Sequence, residues 1–207
     1  MALIPVLAIQ PNLAQPTFSM RLPIVGGVYI VICMLGILAV FYPAKCKEVF
    51  QKSQNPMPQT EKASMQISGH HPNCDKYEPN RIKLQGRVFC AACSGLLAGG
   101  VIAVIGAAAY FFLGINFWVG GIWLLVLGEV MMVLGLIQIR FAGYVKVVAN
   151  LVFVVGSLLV LVEADVLVGG ILADLYVLGL ITFMLWLRIL LSEWNNKRTC
   201  MMCQSCG

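Results

Sequence analysis

Cysteine and histidine residues that could bind a transition metal lie in two parts of the sequence. The first part begins with Gly69-His70-His71-Pro72-Asn73-Cys74 and continues, after a gap of zinc-finger size, with Cys90-Ala91-Ala92-Cys93. Two cysteines separated by two residues can place both thiolates on one tetrahedral ion. Cys74 and one of the two histidines, His70 or His71, would complete the site. The pattern predicts a zinc-type site, and the alternative is an ordinary loop with reduced thiols.

The second part is the run Cys200-Met201-Met202-Cys203-Gln204-Ser205-Cys206. Three cysteines at this spacing resemble the start of a ferredoxin-type iron–sulfur motif, but the fourth cysteine of that motif is absent. A remote ligand such as Cys46 or a histidine would be required, and zinc is allowed by the same ligands. Both parts together permit two separate sites or one mixed site in which the tail folds back on the loop. The alternative is a reactive tail without metal.

The composition indicates that a bilayer surrounds most of this chain. Of its 207 residues, 60% are hydrophobic and 11% are charged, whereas soluble domains carry about 25% charged residues. A transmembrane helix needs roughly 20 mostly apolar residues. The segments that qualify are 22–42, 91–113, 117–139, 147–162 and 171–191. The sequence therefore predicts an all-α integral membrane bundle of about five transmembrane helices.

These spans divide the chain into five predicted regions. Residues 1–21 form an outer N-terminal segment, which lacks the positive region of a signal peptide. Residues 22–43 form the first span, and residues 44–90 form a cytoplasmic metal-binding loop. Residues 91–192 form a bundle of four further spans, and residues 193–207 form a cysteine-rich cytoplasmic tail.

The distribution of lysine and arginine predicts the orientation, because basic loops stay in the cytoplasm. With five spans, all the basic residues except Arg21 fall on the side of the long loop and the tail. The N-terminus is therefore expected outside, and the loop and tail inside, the plasma membrane. Since the cytosol keeps thiols reduced, metal binding or redox chemistry is expected there rather than disulfide formation.

Charged residues within the apolar segments carry separate expectations. Glu129 lies near the middle of the third span and is a candidate proton relay, ion ligand or helix contact, or else a hydrogen-bonded glutamate inside the bundle. Arg188 is expected to extend to the cytoplasmic headgroups. Glu163, Asp165 and Asp174 fit either an outer cation site or, more commonly, a solvated acidic turn.

Small residues within the spans predict close helix packing. Gly95-x-x-x-Gly99 occurs in the second span, and Gly121, Gly128 and Gly135 recur every seven residues in the third. A step of seven residues keeps small residues on one face of a left-handed helix pair. Cys33, within the first span, is expected to be a small buried apolar residue.

Residues 69–100 resemble a family of small bacterial and archaeal predicted membrane proteins of unknown function. In that family a histidine-containing stretch precedes a C-A-R-C-T-G motif that opens a membrane helix. The motif here reads Cys90-Ala91-Ala92-Cys93-Ser94-Gly95, with Ala92 in place of the arginine and Ser94 in place of the threonine. The resemblance covers about a sixth of the chain. It implies a metal-binding membrane protein, with upstream ligands at His70, His71 and Cys74, and implies no substrate.

Motifs of common enzyme classes are missing from the sequence, which contains no Walker loop, G-x-S-x-G, H-E-x-x-H or G-x-G-x-x-G. An enzyme is therefore not the expected class. Basic residues cluster beside apolar runs, which argues for the membrane surface rather than nucleic acid. The first hypothesis is a zinc-folded structural or accessory subunit of a membrane complex, or a homo-oligomer. The alternatives are an iron–sulfur redox protein and an ion transporter that uses Glu129.

Overall fold

Five helices, each long and apolar enough to cross a membrane, make up most of the described structure. The computed structural model describes residues 20–41, 80–84, 87–115 and 121–203. The helices are α1 (Arg21–Phe41), α2 (Ala91–Phe111), α3 (Ile122–Leu136), α4 (Gly143–Val168) and α5 (Ile171–Cys203). Large apolar side chains such as Ile105, Trp123 and Leu172 are exposed on their outer faces, as expected of surfaces in contact with lipid. The prediction of an all-α membrane bundle with five spans is confirmed.

Two helices extend further than their apolar runs predict. Helix α4 has 26 residues and continues to Val168, through Glu163 and Asp165, because both carboxylates are buried within the protein rather than exposed to lipid. Helix α5 has 33 residues and reaches Cys203. At 1.5 Å per residue it is about 50 Å long, which exceeds the roughly 30 Å of a bilayer core. Residues 193–203, predicted as a tail, therefore continue the last helix.

A short β-hairpin precedes α2, which the sequence analysis did not predict. Strand β1 (Arg81–Leu84) pairs in antiparallel register with β2 (Arg87–Cys90), with Leu84 opposite Arg87 and Arg81 opposite Cys90. Only two residues, Gln85-Gly86, connect the strands, and glycine in a two-residue connection is a sequence signal for a hairpin. The hairpin ends directly on the first residue of α2.

Helices that follow one another in the chain alternate in direction, so the bundle has two distinct ends. Gly26 of α1 lies against Phe111 of α2, and Ile37 lies against Gly100, which shows that the two helices are antiparallel. We call the end that contains Cys90, Cys93, Lys146, Asn150 and Arg188 the cysteine end. We call the end that contains Arg21, Tyr110, Asp165 and Asp174 the carboxylate end.

Helix α4 is the most buried of the five and packs against α2, α3 and α5. Its closest approach to α3 is at a pair of glycines. A Cβ atom on Gly128 would lie 2.9 Å from the carbonyl oxygen of Gly156, and one on Gly156 would lie 2.8 Å from the carbonyl oxygen of Gly128. Gly99 of α2 approaches the Leu151 carbonyl oxygen in the same way, at 2.9 Å. Backbone atoms cannot move aside, so these positions require glycine.

The glycine prediction is thus confirmed for both helices, with one exception. Gly135 packs on Phe153 and Gly95 on Val147, as expected of close-packed seams. Gly121, the third member of the seven-residue series, instead precedes α3 with a φ of 55° and has no neighbour within 4 Å. It serves the helix start, where a positive φ favours glycine.

Cys33 lies in the core, as predicted, with 8% of its surface exposed. Beside it, the Tyr29 hydroxyl forms a 2.8 Å hydrogen bond with the Ser157 hydroxyl of α4. Ser157 in turn donates to the Val154 carbonyl oxygen at 2.7 Å. The polar atoms in the middle of the bundle therefore have partners within the protein.

We predict that Gly128→Ala and Gly156→Ala each lower the free energy of unfolding by about 1–3 kcal/mol, the usual cost of overpacking. The matched control is Gly179→Ala, since a Cβ on Gly179 meets nothing within 4 Å. Unfolding in detergent micelles, followed by circular dichroism, measures the difference. Equal stability of Gly128→Ala and Gly179→Ala would contradict the glycine contact.

Candidate functional site

The junction of the hairpin and α2 places the C-x-x-C pair. Cys90 is the last residue of β2 and the N-cap of α2, in extended conformation. Cys93 follows in the first turn, and the Ser94 hydroxyl donates to the Cys90 carbonyl oxygen at 3.0 Å. Backbone N–H groups at a helix start favour negative charge nearby. The local fold therefore suits thiolate ligands at this position.

The side chains of Cys90 and Cys93 are reduced, and both lie at the start of α2. Cys90 is buried and Cys93 is half-buried. The structure thus brings together the two thiols that the sequence predicts to share a metal ion.

Arg188 lies inside the bundle next to these thiols, and only 7% of it is exposed. Its guanidinium donates to the Asn150 Oδ1 atom and lies over the Phe153 ring, 5.6 Å from the centroid. Gln138 accepts from it in either orientation of the amide, 3.4 Å from Nη2 in one and 3.0 Å from Nε in the other. The expectation that Arg188 extends to the headgroups is wrong, because Asn150 of α4 and Gln138 of the 3-10 turn Ile137–Arg140 after α3 hold it inside.

Lys146, at the start of α4, is a second buried cation at this end, with 7% of its surface exposed. Its Nζ donates to the Asn80 Oδ1 at 2.5 Å. The Asn150 side-chain amide donates to the Lys146 carbonyl oxygen at 2.6 Å. The Asn150 side chain therefore bonds to two residues: its NH2 group donates to the backbone of Lys146, and its Oδ1 atom accepts from the guanidinium of Arg188.

The charge balance at the cysteine end is unusual. Arg188 and Lys146 together carry two positive charges, and neither forms an ion pair with a carboxylate in the described ranges. Cys90 and Cys93 lie at the same end, because Gly95, two residues after Cys93, packs against Asn150, the partner of Arg188. Buried charges are costly unless they are paired. An anionic group bound at the cysteine end would therefore be compensated by these two cations.

The remaining predicted ligands divide into two groups. His70, His71, Cys74 and Cys206 lie outside the described residues. Cys200 and Cys203 belong to α5, but only their backbone is described. Among the described side chains, no three His, Cys, Asp or Glu residues lie together as metal ligands. Of the eight predicted ligands, Cys90 and Cys93 are the two whose side chains are described.

The continuity of α5 separates the tail cysteines from the C-x-x-C pair. Cys200 follows Arg188, the neighbour of Cys93, by twelve residues. In a continuous helix this corresponds to a distance of about 18 Å along the axis. Two separate ligand groups therefore fit the structure better than one mixed site formed by a folded-back tail.

Sequence analysis missed most of the polar residues around the thiols. Lys146 counted only as a basic residue for the orientation, and Gln138 and Asn80 were not singled out. The available signal was Arg188 itself, which lies within the apolar stretch Leu185-Trp186-Leu187-Arg188-Ile189-Leu190 of α5. An arginine inside such a run needs acceptors on neighbouring helices or the headgroups, and Asn150 offered one.

Glu129, the candidate within the third span, lies on α3 next to the close-packed Gly128 and is half-buried. Its role as a relay, ligand or helix contact stays a prediction. The acidic residues at the opposite end are not a solvated turn: Glu163 and Asp174 are 0% exposed and Asp165 is 6% exposed.

No family model, curated protein or solved structure matches this chain. The resemblance of residues 69–100 to a membrane-protein family therefore stays a prediction.

We predict that Asn150→Leu and Arg188→Met each lower the free energy of unfolding by about 1–3 kcal/mol, because each leaves a buried polar partner unsatisfied. The double variant should be more stable than the sum of the two effects predicts, by about 1 kcal/mol or more. Chemical unfolding in detergent measures this coupling.

The control cycle pairs Asn150→Leu with Arg198→Met, since Arg198 is exposed and lies over Trp194 on the distal part of α5. Those two effects should add within about 0.5 kcal/mol. Strict additivity in the Asn150–Arg188 cycle would contradict the contact between these side chains.

Proposed function

We propose that this protein is a multi-pass membrane protein that binds a transition metal ion of the zinc type through Cys90 and Cys93. The observation that carries the proposal is a pair of reduced thiols at the start of α2, at the same end of the bundle as Arg188 and Lys146, two buried cations with no carboxylate partner among the described residues. Metal binding deprotonates cysteine ligands. A metal–thiolate group would thus supply the negative charge that this environment favours.

The charge of such a group matches its surroundings. A divalent ion with three thiolates and one neutral histidine carries a net charge of −1, and one with four thiolates carries −2. Either value is compensated, in part or fully, by the guanidinium of Arg188 and the ammonium of Lys146. These two residues would act on the metal through the ligands and would not touch it, as outer-shell partners do.

Cys74 and the histidines are the proposed remaining ligands. Asn80 is fixed at the cysteine end by its bond to Lys146, and Cys74 precedes it by six residues. Six extended residues span at most about 20 Å, so the chain length would allow Cys74 to reach the C-x-x-C pair. His70 and His71 precede Cys74 in the sequence, so a longer stretch of chain would connect them to Asn80.

A structural or accessory role in a membrane complex fits this site better than catalysis. A catalytic zinc keeps one open coordination position, whereas a structural zinc is closed by four protein ligands. The chain offers enough cysteine and histidine residues to close the site. We infer that the metal fastens the loop before α2 to the end of the bundle, and that partner subunits or a second copy bind elsewhere.

We predict about one zinc ion per chain at this site, measured by elemental mass spectrometry on protein purified anaerobically in detergent. The Cys90→Ser/Cys93→Ser variant should lose this ion, while Cys33→Ser, which changes a core cysteine, should keep it. Equal metal content in the two variants would contradict the proposal. Iron with labile sulfide, lost when Cys200, Cys203 and Cys206 are replaced, would instead indicate an iron–sulfur protein.

The role of the buried cation has its own test. We predict that Arg188→Gln weakens zinc binding about 10–100-fold, the usual effect of losing an outer-shell partner. Arg198→Gln is the matched control, because Arg198 is exposed on the same helix. Competition with a zinc chelator measures both affinities, and an unchanged affinity in Arg188→Gln would contradict the charge argument.

We propose that the protein lies in the plasma membrane with its cysteine end on the cytoplasmic side, because loops rich in lysine and arginine stay in the cytoplasm. Gly170 lies in the link between α4 and α5, at the carboxylate end, with open space around it. We predict that Gly170→Cys reacts with a membrane-impermeant thiol reagent on intact cells, whereas the unmodified protein does not. Labelling of the unmodified protein without extra labelling of Gly170→Cys would indicate the opposite orientation.

A further inference from the structure

The carboxylate end contains a charge cluster built from four helices. Arg21, the first residue of α1, contacts two carboxylates: its Nη2 lies 2.6 Å from Asp165 Oδ1 of α4, and its Nη1 lies 2.5 Å from Asp174 Oδ2 of α5. The Tyr110 hydroxyl of α2 donates to the second oxygen of Asp165 at 2.7 Å. One guanidinium therefore holds two carboxylates side by side.

The charges of this cluster do not cancel. Two carboxylates and one guanidinium sum to −1 when all are ionised. Asp174 is 0% exposed and Asp165 is 6% exposed, so that water does not compensate the difference. The Oδ1 atom of Asp174 is buried and accepts no hydrogen bond, whereas Oδ1 of Asp165 has the Arg21 guanidinium as its partner. Asp174 Oδ1 is therefore the carboxylate oxygen of the cluster that has no partner among the described residues.

Few other groups act on Asp174. The charged and titratable side chains that face it in the described ranges are Arg21 from α1, Tyr110 from α2 and Asp165 from α4. Glu163 is also buried without a partner, but it does not act on Asp174. It lies two residues from Asp165, which places it about 200° away around α4.

We propose that Asp165 and Asp174 share one proton, which makes this cluster a proton-binding site within the membrane protein. Two carboxylates at one site resist ionising together, since like charges repel at short range. A single proton cancels the net charge and removes the unpartnered anionic oxygen at Asp174 Oδ1. A metal cation fits less well, because cations require several oxygen ligands and Arg21 would repel it.

The site would couple protonation to helix packing. Arg21, Tyr110, Asp165 and Asp174 belong to α1, α2, α4 and α5, so the cluster joins four helices at one end. Loss of the proton restores the net negative charge in a buried setting. This proposal is independent of the metal site, which lies at the opposite end of the bundle.

Infrared difference spectroscopy on the full chain in lipid vesicles tests the proposal through the carbonyl stretch of a protonated carboxyl group. The chain contains three aspartates, Asp75, Asp165 and Asp174, so isotope-labelled aspartate shifts only their bands. We expect a labelled carboxyl band at neutral pH, equivalent to one proton per chain. It should persist in Asp75→Asn and Glu163→Gln, and disappear in Asp174→Asn and Asp165→Asn.

Other outcomes would overturn the proposal. Absence of a labelled aspartate band in the unmodified protein at neutral pH would show that both carboxylates are ionised. This measurement uses the unmodified protein and does not depend on the folding of any variant. A band that disappears in Asp75→Asn alone would assign the proton elsewhere. Thermal stability that rises with sodium concentration at constant pH and ionic strength, and loses this dependence in Asp174→Asn, would replace the proton by a metal cation.

Discussion

Polar and charged side chains are tolerated inside an apolar bundle only where other parts of the protein satisfy them, and α4 supplies most of those partners. From one end to the other it presents Lys146, Asn150, Ser157 and Asp165. Each meets a group outside α4. The partners, in the same order, are Asn80, Arg188, Tyr29 and Arg21, of which the last two belong to α1. Because lipid offers no replacement partners, these contacts fix which faces of the other helices turn inward.

Close packing makes this arrangement possible. The glycines at 99, 128 and 156 let α2 and α3 approach the backbone of α4, which brings short polar side chains within reach of one another. It also excludes lipid from the ends of α4, where the charged residues lie. The two charge clusters therefore depend on the same glycine contacts, although they occupy opposite ends of the bundle.

The number of spans and the positions of the close contacts could be predicted because they depend on local properties. Apolar length identifies a span, and the spacing of Gly95, Gly99, Gly128 and Gly135 identifies a packing face. The partners of Arg188 could not be predicted in this way. Its acceptors come from the turn after α3 and from α4, 50 and 38 residues away in the sequence, and no local pattern relates such positions.

The same limit applies to the acidic residues. Glu163, Asp165 and Asp174 lie around a short link between two spans, which is the usual setting of a solvated turn. The deciding residue was Arg21, more than 140 residues earlier, which pairs with Asp165 and Asp174. Cys90 and Cys93, by contrast, were correctly placed together because a helix start fixes residues three positions apart.

Helix α5 has polar contacts with the bundle at two levels along its length. They include Asp174 with Arg21 and Arg188 with Asn150. These contacts are fourteen residues apart, about 21 Å along the axis, and Cys200 lies about 18 Å beyond the second one. In a continuous helix held near Arg188, a tilt of about 10° would move the backbone of Cys200 by about 3 Å. A change at the carboxylate end would thus be transmitted along α5 to the cysteines beyond the cysteine end.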